Sequence, residues 1–154
     1  MRRPDPTLNP DVLRAARERQ GLTQHQLARL VGVAGGERIS RWELGMSTPR
    51  PRMLIRLADV LEVAPTALLT PDHGPADLRR MRVLAGLSAR EFARRMHMSV
   101  ANIQRWEAGR IERIPPAQVL ERVAAAMSAE ITDVERGFIR SRDLYRQDWG
   151  GGRA

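Results

Sequence analysis

The chain contains no cysteine and no lysine, no apolar run long enough to cross a bilayer, and no stretch in which apolar and polar residues alternate. Each absence removes a class. Without cysteine there is no disulfide framework and no thiolate metal site, and the three histidines, His25, His73 and His97, stand singly rather than at ligand spacing. No metal or cofactor is expected. A spanning helix needs roughly 18 to 20 consecutive apolar residues, and the opening Met1–Asp11 segment has basic residues with no apolar stretch behind them. The chain therefore reads as cytoplasmic, without a membrane partner. The missing alternation argues against half-buried strands and for an all-α protein.

What is present is 154 residues, 42% apolar and 29% charged, the profile of one or two small globular domains. All 26 basic residues are arginine, set against 18 acids for a formal net charge of +8. That excess points to a polyanion. Arginine suits bidentate contacts to phosphate and guanine, although abundant Arg and Ala also fit a GC-rich genome. Divided at Asp72, the excess is +3 before and +5 after, so it is spread over the chain rather than confined to a basic arm.

An internal repeat organises the sequence. Residues 19–33 (RQGLTQHQLARLVGV) match 84–98 (LAGLSAREFARRMHM), and 38–45 (RISRWELG) match 102–109 (NIQRWEAG), with one extra residue in the first copy between the blocks. Leu54, Leu57, Ala58 and Leu61 match Leu120, Val123, Ala124 and Met127. Each copy is about 60 residues, near the smallest size that folds unaided. Asn9 and Pro10 open the first helix and Gly21 closes it, with Pro75 and Gly86 expected to do the same in copy two. Capping boxes, Thr23 with Gln26 and Ser88 with Glu91, start the second helices, whose core faces carry Leu27, Ala28, Val31 and Phe92, Ala93, Met96. Third helices contain Ile39 and Trp42, or Ile103 and Trp106, and stop at Gly45 or Gly109. Fourth helices start near Pro51 and Pro116, and short fifth helices are expected at Thr66–Leu69 and Ala129–Val134. The expected domains are 9–70 and 76–135, with a Pro/Gly-rich linker at 71–75. A C-terminal extension at 136–154 follows, its last residues disordered, with Val134, Phe138, Tyr145 and Trp149 forming a partial helical stripe.

Two short helices joined by a tight turn form a helix-turn-helix, whose second helix can enter the DNA major groove. GLTQHQLARLVGV, then ISRWELG, then PRPRMLIRLADVLEVAPTALL, resembles the Cro/C1-type (Xre family) helix-turn-helix domain of lambdoid phage repressors and many bacterial regulators. The first copy matches over nearly all of 9–70, and the second from Leu78 to Gly109 and loosely beyond. The resemblance implies two tandem lambda-repressor-like bundles of about five helices each. It also implies a cytoplasmic, nucleoid-associated transcription regulator that binds double-stranded DNA.

By position, the resemblance places a phosphate grip at Thr23 and Gln24, and at Ser88, where copy two follows with Ala89. Base-reading positions fall at Gly35, Gly36, Glu37, Arg38, Ser40 and Arg41 in copy one and at Ser99, Val100, Ala101, Asn102, Gln104 and Arg105 in copy two. Asn, Gln and Arg can pair bidentately with adenine or guanine edges. The glycine pair in copy one departs from the family pattern, and reads either as close backbone approach to DNA or as a helix that starts a turn late. Arg50, Arg52, Arg110 and Arg113 occupy phosphate-contact positions, with a solvated loop as the plainer reading. The resemblance pairs Glu43 with Arg17 and Glu107 with Arg82 as structural ion pairs rather than catalytic acids. Trp42 and Trp106 are expected to pack, and the histidines to be surface or cap residues. No nucleophile–base constellation supports an enzyme. A second reading, from the interaction class, is an antitoxin or antirepressor-like adaptor in which one copy binds DNA and the other a protein. A homodimer or a protein partner through domain 2 or the C-terminal extension stays open.

Overall fold

The computed structural model describes residues 5–150. Its elements are helical: α1 (Pro10–Arg19), α2 (Gln24–Val31), α3 (Gly35–Glu43), α4 (Pro51–Leu61), α5 (Pro65–Leu68), α6 (Leu78–Leu84), α7 (Ala89–Met96), α8 (Val100–Glu107), α9 (Ala117–Met127) and α10 (Ile131–Gly150). Among the described residues the only extended pairing is an isolated antiparallel bridge, Leu8 to Leu69. No helix among them is long and apolar enough to cross a membrane. The fold is all-α and divides into two compact units, one spanning Pro6–Pro71 and the other built from Asp72 onward together with Asp5.

In the first unit the Asn9 side chain accepts from the backbone N–H groups of Asp11 and Val12, and Pro10 takes the first helical position, where its missing N–H costs nothing. The capping box of α2 is closed in both directions: Thr23 Oγ1 accepts from Gln26 N at 3.1 Å and Gln26 Oε1 from Thr23 N at 2.8 Å. The buried faces of α1 to α5 meet in a core that includes Leu13, Leu27, Val31, Ile39, Trp42, Leu57, Leu61 and Leu68.

The second unit repeats this plan with Leu78, Phe92, Met96, Ile103, Leu120, Val123 and Met127 in its core. Ser88 and Glu91 close the capping box of α7. Two features depart from the expectation. Pro75 does not open the first helix: α6 starts at Leu78 with Asp77 as its N-cap, Asp77 Oδ1 accepting from Arg80 N at 2.8 Å. Its first N–H, of Leu78, donates to Ser141 Oγ of α10 at 3.1 Å. In the first unit Pro10 of α1 lies against Gly45, whereas in the second the backbone of Ser141 and Arg142 lies against Gly109. The last helix thus occupies the place of the missing first turn.

The second departure is α10 itself. A short helix at Ala129–Val134 was expected, yet the chain stays helical through Gly150, so position 136 falls inside an element. Gly137, although Gly in a helix interior costs about 1 kcal/mol relative to Ala, is buried where a Cβ would sit 2.5 Å from Met81 Sδ and 3.6 Å from Leu78 N. Its missing side chain lets α10 lie close on α6. Val134 and Phe138 of the expected stripe are fully buried, Tyr145 is half-buried and Trp149 is exposed. The expectation of disorder at the extreme C-terminus concerns residues outside those described.

Candidate nucleic-acid interface

Each unit holds a pair of helices joined by a three-residue turn: α2 and α3, α7 and α8. In both, the turn begins with a left-handed residue, Gly32 at φ 75° and His97 at φ 54°, which reverses the chain immediately after the second helix. The third helices then start in different ways. Ser99 caps α8 by accepting from Asn102 N at 3.2 Å. Ala34 offers α3 no side-chain cap, and instead His25 Nδ1 of α2 accepts from Gly36 N at 3.2 Å. The three histidines resolve accordingly: His25 caps a neighbouring helix, His97 is a left-handed C-cap, and the His73 carbonyl accepts from Arg140 Nη2 at 2.7 Å.

The two glycines differ: Gly35 is exposed at φ 69° with open space where a Cβ would sit, whereas Gly36 packs inside the unit. Gly36 is buried, and a Cβ there would lie 2.9 Å from His25 N and 3.1 Å from the Gln24 carbonyl carbon. It is glycine because α3 crosses the start of α2 at backbone contact. Helix α3 does not start late, since it begins at Gly35, one residue ahead of the position matching Val100.

Around this, Gly35, Glu37, Arg38 and Arg41 are exposed and Ser40 is half-buried, while Ile39 and Trp42 point inward. On α8, Ala101, Asn102 and Arg105 are exposed with the cap residue Ser99, Val100 and Gln104 are half-buried, and Ile103 is buried. Thr23 is exposed and Ser88 half-buried at the starts of their helices. Arg50 is the N-cap residue of α4 and Arg52 lies in its first turn, both exposed. Asn102, Arg105, Arg110 and Arg113 line one groove of about 440 Å³ with Met98 and Trp106. Trp42 is 4% exposed, and the Trp106 ring meets Phe138 edge-on with centroids 5.2 Å apart, so both indoles pack.

A buried carboxylate ties each third helix to the first helix of its unit. Arg17 Nε and Nη2 donate to Glu43 Oε1 and Oε2 at 2.5 and 3.1 Å, and Arg17 Nη1 donates to the Leu22 carbonyl at 2.7 Å. Gln24 Nε2 also donates to Glu43 Oε2, at 2.9 Å, so one amide N–H of the expected phosphate grip is already committed inside the unit. Burial pushes the Glu43 carboxyl up. The hydrogen bonds from Arg17 and Gln24, with the charges of Arg17 and Arg14, outweigh it and hold the group below the usual carboxylate range. The same hydrogen bond raises the Arg17 guanidinium, against the opposing effect of desolvation.

In the second unit Arg82 binds Glu107 in the same bidentate manner and reaches the Leu87 carbonyl at 2.8 Å. Ala89 cannot supply Gln24's hydrogen bond, and Arg79 Nε takes that side of the carboxylate at 3.4 Å from Glu107 Oε2. Asp5, half-exposed, lies 3.5 Å from Arg79 and 3.4 Å from Arg82, and supplies a second negative charge. Arg79 was missed by sequence reasoning, though a signal existed. Its counterpart Arg14 pairs along α1 with Glu18, and the residue matching Glu18 in copy two is Val83, which leaves Arg79 to turn inward.

Among the described residues no group of three or more His, Cys, Asp or Glu could hold a metal ion. Comparison with curated proteins and with solved structures gave no match. Family models do match: a helix-turn-helix model over residues 13–68 and a helix-turn-helix domain model over residues 76–137. Taken with the paired helices, the capped turns and the buried Arg–Glu bridge in each copy, these matches show that the chain belongs to the Cro/C1-type (Xre) helix-turn-helix family, with two DNA-binding-type domains in tandem.

Proposed function

We propose that this protein is a sequence-specific, double-stranded-DNA-binding transcriptional regulator of the bacterial cytoplasm that uses the third helix of each domain, α3 and α8, to read bases and has no catalytic role. The observation that carries this reading is the same in both units: a short helix with one face buried to zero exposure at Ile39 or Ile103 and the opposite face left to Glu37, Arg38 and Arg41 or to Asn102 and Arg105. Such a helix spends its inner face on fixing its position and its outer face on recognition. The bases would be read by Asn102, Gln104 and Arg105 in one domain and by Glu37, Arg38, Ser40 and Arg41 in the other. Phosphates would be met by Thr23, Ser88, Arg50, Arg52, Arg110 and Arg113. We assign Gly36 to helix packing. The functional domains would be the two helix-turn-helix bundles, the second including α10.

Selection of bound sequences from a random duplex pool with the full chain tests this. An enriched non-palindromic site is expected, with affinity falling about 10³ to 10⁵-fold between 50 and 200 mM salt if roughly 6 to 10 phosphates are neutralised. Replacing Asn102 and Gln104 by Ala should relax preference in one half of the site only. No enrichment, or a flat salt response, refutes the reading. One observation favours the adaptor alternative for the second domain. Copy two has Ala89 where copy one has Gln24, and α10 flanks α8. A footprint one major groove long, indifferent to the Asn102 and Gln104 changes, would select it.

A further inference from the structure

Between α8 and the last turns of α10 lies a cavity of about 220 Å³ that DNA recognition does not account for. Gln104 and Arg105 of α8, Arg110 just beyond it, and Tyr145 and Trp149 of α10 line its walls. The buried Arg79 and Glu107 side chains, 3% and 0% exposed, also line it. The acids at this site are already engaged: Glu107 by Arg79 and Arg82, Asp77 as the cap of α6, and Asp148 by an interaction of its own. Arg105 and Arg110 are in no ion pair among the described residues. The Tyr145 and Trp149 rings stand 6.3 Å apart at 33°, and the Arg110 guanidinium carbon lies 6.0 Å above the Tyr145 ring. Two cations without an ion-pair partner among the described residues, beside two aromatic rings, suit a flat anion, which gains both charge-assisted hydrogen bonds and ring contact. The volume is below the roughly 300 to 1,000 Å³ of pockets for drug-sized ligands, which restricts the occupant to about one ring.

We propose that this cavity binds a small aromatic carboxylate, its carboxylate held by Arg105 and Arg110 and its ring against Tyr145 and Trp149, and that the occupant competes with DNA for Arg105. The site stands on its own geometry; the competition rests on the DNA-binding reading above. Arg105 and Arg110 line both this cavity and the open groove that holds Asn102 and Arg113, and Arg105 is the one of the two that lies on α8. A guanidinium turned toward a bound carboxylate cannot at the same time donate both its N–H edges to a guanine or a phosphate.

The test uses the full chain without DNA, titrated with benzoate at constant ionic strength and followed by NMR. Saturable shifts are expected at Gln104, Arg105, Arg110, Tyr145 and the Trp149 indole. Acetate, which lacks the ring, and benzamide, which lacks the charge, should each bind at least about tenfold more weakly. Trp149 is 59% exposed, so Trp149→Ala leaves the fold intact, and together with Tyr145→Ala it should weaken benzoate at least about tenfold. Absence of saturable shifts, or benzoate binding unaltered in the double variant, overturns the site. The second arm measures affinity for the selected duplex with increasing benzoate. An apparent Kd for DNA that rises in proportion to benzoate, and no longer does so in the double variant, supports competition, and an unchanged Kd overturns it. If no duplex is bound at all, the DNA-binding reading fails while the DNA-free titration still decides the site.

Discussion

Arg17→Ala removes the one residue that grips both oxygens of Glu43, whose side chain is 4% exposed. Deleting one member of a buried ion pair typically costs about 3 to 5 kcal/mol, because the remaining charge is left without compensation. Here the low end applies, since Gln24 still donates to Glu43 Oε2. The expected loss is about 3 kcal/mol, a large share of the roughly 3 to 10 kcal/mol available to a unit of this size. Glu43→Gln should cost less, on the order of 1.5 kcal/mol, because it leaves a neutral acceptor and Arg17 keeps its bond to the Leu22 carbonyl. Once Arg17 is gone, the neutral Gln no longer strands a charge, so the double variant should lose less than the sum of the singles, by about 1.5 kcal/mol. Equilibrium urea unfolding of the full chain measures this in a Trp106→Phe, Trp149→Phe background, where Trp42 alone reports the first unit; the chain has three tryptophans. With a slope near 1 kcal/mol per molar urea for a unit this small, Arg17→Ala should lower the midpoint by about 3 M. Losses that add to within about 0.5 kcal/mol would mean that the two residues do not act as a pair.

Three further outcomes follow from the same geometry. Because the Glu43 carboxyl is held below its unfolded value, the folded state binds fewer protons on acidification, so this group stabilises above the unfolded carboxylate range and that contribution is lost as pH falls through its folded value. Urea midpoints of the first unit between about pH 5 and pH 3 should therefore fall more steeply in the parent than in Glu43→Gln, and equal slopes would contradict the assignment. Gly36→Ala should destabilise the first unit by about 1 to 2 kcal/mol despite alanine's higher helix propensity, because the added carbon meets backbone at 2.9 Å; a stabilised variant in the same urea assay would show that the helices can separate. His97→Gly should stabilise the second unit by about 0.5 to 1 kcal/mol by relieving a left-handed backbone at φ 54°, read from Trp106 in a Trp42→Phe, Trp149→Phe background; a loss of that size would refute it.

Signals spanning four residues or fewer were legible in the chain alone. The capping boxes at Thr23–Gln26 and Ser88–Glu91, the Asn9–Pro10 start of α1 and the inward stripes through Leu27 and Val31 or Phe92 and Met96 all depend on one helical turn, so composition and spacing suffice to place them. The two Arg–Glu bridges span 26 and 25 residues and were visible through resemblance, because a recurring fold had already established which residues meet. Where two elements meet without a local mark, only the tertiary structure decided. The short helix expected at Ala129–Val134 instead runs on as α10 through Gly137, whose lack of a side chain is what packing on α6 requires. Gly36 resembles a feature of the DNA face and is a helix crossing, Ala34 looks like a poor cap and is relieved by His25 from the neighbouring helix, and Arg79 looks like a surface charge and is drawn to Glu107 by the absence of Gln24's counterpart. The physical reason is common to all four. Backbone hydrogen bonding and side-chain periodicity are set within a turn, whereas close packing and the pairing of buried charges depend on atoms brought together from distant positions, whose identity no local window contains.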